Sequence, residues 1–185
     1  MKDLTIVDRV KAYTRSVVQS IVDKEPLNYL EAAGLFGVIL QARHNIFMLS
    51  SLYNQALDPE LRELTKQAIY EQAVPMIEKC EELMRAGNAE PPDAHFKSPV
   101  LYAKAVYPEN VKLEDGEIAI AVANITRTTQ LTLFTTLQQC YQLEVAAGIN
   151  ELLSSDLQWS YRLLQLMLHR GWLPEVPKVA VENKH

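Results

Sequence analysis

From Asn28 to Leu57 the chain reads NYLEAAGLFGVILQARHNIFMLSSLYNQAL, thirty residues without a proline. Leu35, Ile39, Ala42, Ile46, Leu49 and Tyr53 recur at alternating steps of four and three, which lays an apolar stripe along one helix face. A second line, Tyr29, Phe36, Leu40 and Phe47, widens the stripe. A helix of this length spans about 45 Å at about 1.5 Å per residue, enough for the spine of a bundle. The width of its apolar surface predicts cover on more than one side.

At 185 residues the chain is long enough to bury a substantial core. A formal net charge of −5, with Lys and Arg in no block, argues against nucleic acid as a partner, because phosphate binding needs a basic surface. The longest dense apolar run, Leu35 to Leu40, is too short to cross a bilayer. The start, MKDLTIVDRVKAYTRS, carries charges throughout and lacks the apolar centre of a secretory signal. These features predict a cytoplasmic protein without a transmembrane segment. In that reducing setting Cys80 and Cys140, each inside a helical pattern, are expected as free thiols.

In chain order, Ile6, Val10, Tyr13, Val17 and Ile21 predict a short amphipathic helix that Glu25-Pro26 stops. Asn28 with Glu31 three residues on is a capping-box pattern for the long helix. Asp58-Pro59-Glu60 then ends one helix and starts another: a cap, a first-turn proline and an acid at the positive helix end. Leu61, Leu64, Ala68, Ala73, Ile77, Cys80 and Met84 are its expected inward face, Pro75 should kink it, and Gly87 is its expected left-handed C-cap. Residues 88–115, with Pro91, Pro92, Pro99 and Pro108, are too long for a tight turn and can run the length of a bundle. Leu101 to Val106 is a candidate helical turn within them.

The helical pattern resumes with Ile118, Val122, Ile125, Leu133, Leu137 and Tyr141 and continues to Arg170. A single helix of that length is too long for a small domain, so a turn is hidden in it. Internal similarity locates the turn. MRAG at Met84–Gly87 corresponds to LHRG at Leu168–Gly171, and sliding one hairpin onto the other sets Asp58-Pro59 against Gln142-Leu143. The turn is therefore placed at Cys140 to Val145, and the last helix presents Ile149, Leu153, Leu157, Tyr161, Leu164 and Leu168 inward, with Gly171 as its cap. The expected fold is all-α: a ferritin-like four-helix bundle of two hairpins with a long crossover, plus a short N-terminal helix. Its pieces are the N-terminal helix in 1–26, the bundle in 27–177 with hairpins 28–87 and 116–171 around crossover 88–115, and a tail, 178–185.

No catalytic motif emerges. A di-iron bundle needs Glu-x-x-His pairs on two helices, and the single such pair here is Glu182 with His185 in the tail. An unorthodox metal group would have to combine His44 with Glu71 or Glu78 and Glu144, against the usual ligand spacing. His44, at the stripe's edge, reads first as a hydrogen-bonded interior or boundary histidine. His169 reads as a cation at a helix C-terminus. There is no Gly-x-Ser-x-Gly elbow, no activated cysteine and no glycine-rich phosphate loop. Trp159 and Trp172 read as core or boundary packing, and Gly34, Gly37 and Gly148 as places where missing side chains could open an apolar cavity.

LYNQALDPELRELTKQAIYEQAVPMIEKCEELMRAG resembles the hairpin of bacterial endospore coat protein F-like domains, through Pro59-Glu60-Leu61-Arg62 at the turn and Met84 and Gly87 at the end. CYQLEVAAGINEL and LLQLMLHRGWLPEVP, ending in Gly171, Trp172, Leu173 and Pro174, resemble related ferritin-like proteins of spore-forming Firmicutes. The likeness spans about residues 30 to 177. It implies a ferritin-like bundle associated with the spore coat and transfers no enzymatic residue. The resulting expectation is a non-enzymatic structural or interaction protein, a homo-oligomer (dimer) that meets other spore coat proteins, with no cofactor and no catalytic or metal site. The alternative is a ferritin-like metal or small-ligand binder that uses the bundle interior.

Overall fold

The computed structural model describes residues 25–93, 100–102 and 107–173. Four struts form the bundle. The first is α1, Tyr29–Gln55. The second comprises α2, Pro59–Gln67, a π-helical stretch, Ala68–Ala73, and α3, Val74–Ala86. The second hairpin is α4, Asp115–Gln138, and α5, Leu143–His169. α1 packs on the second strut and on α4, α5 packs on α4 and on the second strut, and α1 stands diagonal to α5. Two hairpins joined by a long crossover make the all-α, ferritin-like arrangement that the sequence predicts. The expected helix at Leu4 to Lys24, most of the turn at Leu101 to Val106 and the tail 178–185 lie outside the described residues.

The predicted helix starts form as capped starts. Asn28 Oδ1 accepts from Leu30 N and Glu31 N, both at 2.9 Å, and Glu31 Oε2 accepts from Asn28 N at 3.2 Å. Asp58 Oδ1 accepts from Glu60 N at 2.9 Å and Leu61 N at 3.0 Å, with Pro59 in the first turn. The hidden turn lies at Gln139 to Gln142. In α4 the hydroxyls of Thr126, Thr128, Thr129, Thr132 and Thr135 donate to the carbonyl four residues back, which satisfies their polar atoms within the helix.

The internal repeat has a physical expression. Glu31, wholly buried, turns Oε1 onto the second hairpin's turn and accepts from Tyr141 N at 2.8 Å and Gln142 N at 2.7 Å. Asp115, at the start of α4, accepts from Leu57 N at 2.8 Å and Asp58 N at 2.9 Å in the first hairpin's turn. A step of 84 residues, the separation of the bonded pair Asn45 and Thr129, relates Glu31 to Asp115 and Leu57-Asp58 to Tyr141-Gln142. Each hairpin thus begins with a carboxylate that clamps the other hairpin's turn.

At Pro75 the regular α-helical ladder is interrupted. It cannot donate a helical hydrogen bond and its ring crowds the carbonyl four residues back. The preceding turn widens into the π-helix, with Val74 N–H reaching Ile69 O. The C-cap of α3 also differs. Gly87 has φ −94, and the left-handed residue is Asn88 at φ 58, with Ala89 N donating to Met84 O at 2.9 Å. Gly87 is required for space instead: a Cβ there would stand 2.3 Å from Leu27 Cγ. At the end of α5, Gly171 does take φ 66, and Trp172 N donates to Met167 O at 3.0 Å.

The inward faces of α1 and the second strut follow the sequence reading: Leu35, Ile39, Ala42, Leu49, Leu61, Leu64, Ala68, Ala73, Cys80 and Met84 are buried. The last helix is rotated from its expected phase. Ile149 is buried, but Leu157, Tyr161, Leu164 and Leu168 are exposed, and the inward line runs through Asp156, Trp159, Leu163, Leu166 and Met167. Tyr141 is also exposed rather than inward. The leucine-rich line on α5 offered the longer apolar series, and the line that packs contains an aspartate that an apolar count discards.

Candidate functional site: a polar layer across the bundle

The core is two apolar clusters. One gathers Leu49, Leu52, Leu61, Leu64, Ile118, Val122, Trp159 and Leu163; the other gathers Leu35, Ile39, Met76, Cys80, Leu133, Val145 and Ile149. Along every strut the positions between the two sets are polar: Asn45 on α1, Gln72 in the π-helix, Thr126 and Thr129 on α4, and Asp156 on α5. Asn45 Nδ2 donates to Thr129 Oγ1 at 2.8 Å. Gln130 Nε2 donates to Asp156 Oδ2 at 2.9 Å and to Ser160 Oγ at 3.0 Å, and Ser155 Oγ donates to Gln72 Oε1 at 3.0 Å.

These residues are related by the same 84-residue step that pairs the clamps: Asn45 with Thr129, and Gln72 with Asp156. Asn45, Gln72, Thr126, Thr129 and Asp156 share with apolar neighbours the lining of a cavity of about 20 Å³, room for one water-sized sphere. Asp156 is 4% exposed, and burial pushes its carboxyl up to about 6, a rise that the Gln130 hydrogen bond opposes. One turn along, Trp159 Nε1 is buried with no hydrogen-bond partner among the described residues. Sequence reasoning missed this layer because it sought apolar periodicity. Applying the 84-residue step to polar positions pairs Asn45 with Thr129 and Gln72 with Asp156, but not Thr126, whose counterpart is Ala42.

The residues weighed as metal ligands do not come together. His44 is exposed on the outer side of α1 rather than interior, and Glu144 is exposed in the first turn of α5. Glu71 and Glu78 line a surface groove of about 430 Å³ with Glu82, Glu151 and Lys79. Among the described residues no group of three or more His, Cys, Asp or Glu side chains could hold a metal ion. A di-iron centre of the ferritin type does not fit the mid-bundle layer, which supplies one carboxylate and no imidazole. The glycines open no interior cavity either. A Cβ at Gly34 would stand 2.7 Å from Thr136 Cγ2 and one at Gly148 3.0 Å from Leu83 Cδ1, while Gly37 meets open space. Glu182 and His185 lie outside the described residues.

A second feature is the outside of α1. Its polar residues Glu31, Asn45, Ser50 and Asn54 are buried and bonded, whereas its exposed residues are Tyr29, Leu30, Ala33, Phe36, Leu40, His44, Phe47 and Met48. The second apolar line of the sequence is therefore on the surface, not covered as expected. By length and composition α1 would suffice to cross a membrane, which the short run Leu35 to Leu40 understated. In this fold it is a bundle strut with one buried face.

Comparisons with known proteins agree with the architecture. The family model DUF3231, described as a protein of unknown function, matches residues 16–184. Among solved structures, a "putative spore coat protein" from Bacillus halodurans C-125 superposes with a TM-score of 0.75 at 22% identity, over 85% of this chain and 98% of that one. A two-domain protein from Anabaena variabilis ATCC 29413, with DJ-1/ThiJ/PfpI-like and ferritin-like domains, superposes with a TM-score of 0.58 at 16% identity. That match covers 84% of this chain and 41% of the other. No curated protein matches by sequence.

Proposed function

The chain belongs to the DUF3231 family, and for it we propose a non-enzymatic structural and interaction role in which the bundle pairs with a second copy and works among spore coat proteins. The observation that carries this reading is the outer surface of α1, which exposes no Asp, Glu, Lys or Arg among residues 29–55. Aromatic residues and methionine are enriched, and charged residues depleted, at the centres of protein interfaces. Tyr29, Phe36 and Phe47 are 96%, 40% and 68% exposed. At about 200 Å² for a full ring, these three offer about 400 Å², half of the roughly 800 Å² that each partner buries in a standard interface. α4 adds exposed Leu131 and Phe134. The spore-coat association is supported by the fold shared with the Bacillus halodurans protein and by the hairpin resemblance.

Light scattering of the full chain at micromolar concentration tests the pairing. The expected mass is twice the 21.0 kDa of one chain. A single-chain mass throughout the range would remove the reading.

A further inference from the structure

The mid-bundle cavity is rich in acceptors. The hydroxyl hydrogens of both threonines are committed to the backbone: Thr126 Oγ1 donates to Val122 O and Thr129 Oγ1 to Ile125 O, each at 3.0 Å. They can only accept from whatever occupies the space. The Asn45 amide nitrogen is turned to Thr129 Oγ1, and its carbonyl oxygen receives no hydrogen bond from any described residue. Asp156, more than nine-tenths buried, receives one hydrogen bond, at Oδ2; its Oδ1 receives none from any described residue. Among the described residues no Lys, Arg, His or second carboxylate shares the lining; Gln72, whose Oε1 accepts from Ser155, adds one neutral amide donor. An ionised carboxylate in such a place demands a compensating positive charge.

The size of the space and its charge restrict what can supply that charge. Calcium takes six to eight oxygens, usually with several carboxylates, and magnesium keeps much of its water shell. One carboxylate and a volume of about 20 Å³ provide for neither. A bare monovalent ion is the size of the one water that fits, and neutral protein oxygens can replace its hydration shell.

We propose that the cavity between the two core clusters is a binding site for one sodium- or potassium-sized cation, held by the Asp156 carboxylate with the oxygens of Asn45, Thr126 and Thr129. The site uses α1, α4 and α5 at the level where the internal repeat pairs its polar residues, and an ion there joins the hairpins through the middle of the core. This goes beyond the pairing role and does not depend on it.

Thermal unfolding of the full chain at pH 8 tests the site. N-methyl-D-glucamine chloride is replaced stepwise by sodium or potassium chloride at constant ionic strength. With at least one of the two, the midpoint should rise and saturate, by about 5–10 °C at a hundredfold excess over Kd for a chain of this size. The rise should vanish in Asp156→Asn; far-UV circular dichroism checks that the variant is folded. Thr126→Val should shift the titration to higher salt. Equal midpoints in all three chlorides would leave a bound water as the occupant and overturn the proposal, as would an undiminished response in Asp156→Asn.

Discussion

Asp156 makes the sharpest residue-scale prediction. Its carboxyl is raised from 3.8 to about 6 in the folded chain, so between those values the folded state holds a proton that the unfolded state has released. Stability is then greatest below the unfolded value, falls as pH rises through about 6, and stays lower above it. Asp156→Asn should be stabilising by about 3 kcal/mol at pH 8 in N-methyl-D-glucamine buffer, taking about 1.4 kcal/mol per unit, and near neutral at pH 4. Urea unfolding at the two pH values measures both. Equal effects at both would show that the carboxyl is not perturbed. The thiols give an independent check of burial. Cys80 is wholly buried and its thiol is pushed up to about 12 by desolvation, while Cys140 is half-buried and raised mainly by desolvation. A thiol reagent at pH 8 should modify Cys140 first and reach Cys80 only through unfolding. Two equally fast thiols would contradict the placement of Cys80.

At the scale of the element, α1 is the unusual helix, with bonded polar side chains within and aromatic ones without. Its two glycines should separate packing from propensity. Gly37→Ala meets open space and should stabilise by about 1 kcal/mol. Gly34→Ala drives a methyl into the Thr136 side chain and should destabilise despite the better helix former. Thermal midpoints of the two variants decide it, and a shared sign would contradict the packing of α1 on α4. Caps and turns were legible in the sequence at Asn28, Asp58 and Gly171, where the local chemistry has one solution. The phase of α5 was not, because that helix carries two apolar lines and the partner surfaces choose between them. Gly87 was read as a backbone requirement, and the chain uses it for the room it leaves to Leu27.

For the whole molecule, the repeat is what the sequence showed best. The faint match between hairpin ends located the hidden turn and the four-strut topology. It did not reveal the functions of the matched positions, because Glu31 and Asp115 share only a charge, and Gln72 and Asp156 not even that. Their equivalence emerges from what they touch. The clamps should therefore carry unequal weight. Glu31→Ala leaves two turn amides and the α1 cap without their buried acceptor and should cost at least about 3 kcal/mol, since hydrogen bonds to charged groups contribute about 1.5–3 kcal/mol each. Asp115→Ala, nearer the surface where water can replace the carboxylate, should cost less, about 1–2 kcal/mol at the roughly 0.5–1 kcal/mol of an ordinary hydrogen bond. A smaller loss at Glu31 than at Asp115 in urea unfolding would contradict the burial of the first clamp.

The proposed role in assembly rests on the outer face of α1, and sedimentation equilibrium of the unmutated chain beside Leu40→Glu probes that face directly. Leu40 is 36% exposed, at the rim of the packed face, and the helical circular dichroism of the variant is checked against that of the parent. The account predicts a two-chain mass for the parent and a one-chain mass for Leu40→Glu at the same micromolar concentration. Equal masses for the two proteins would contradict it.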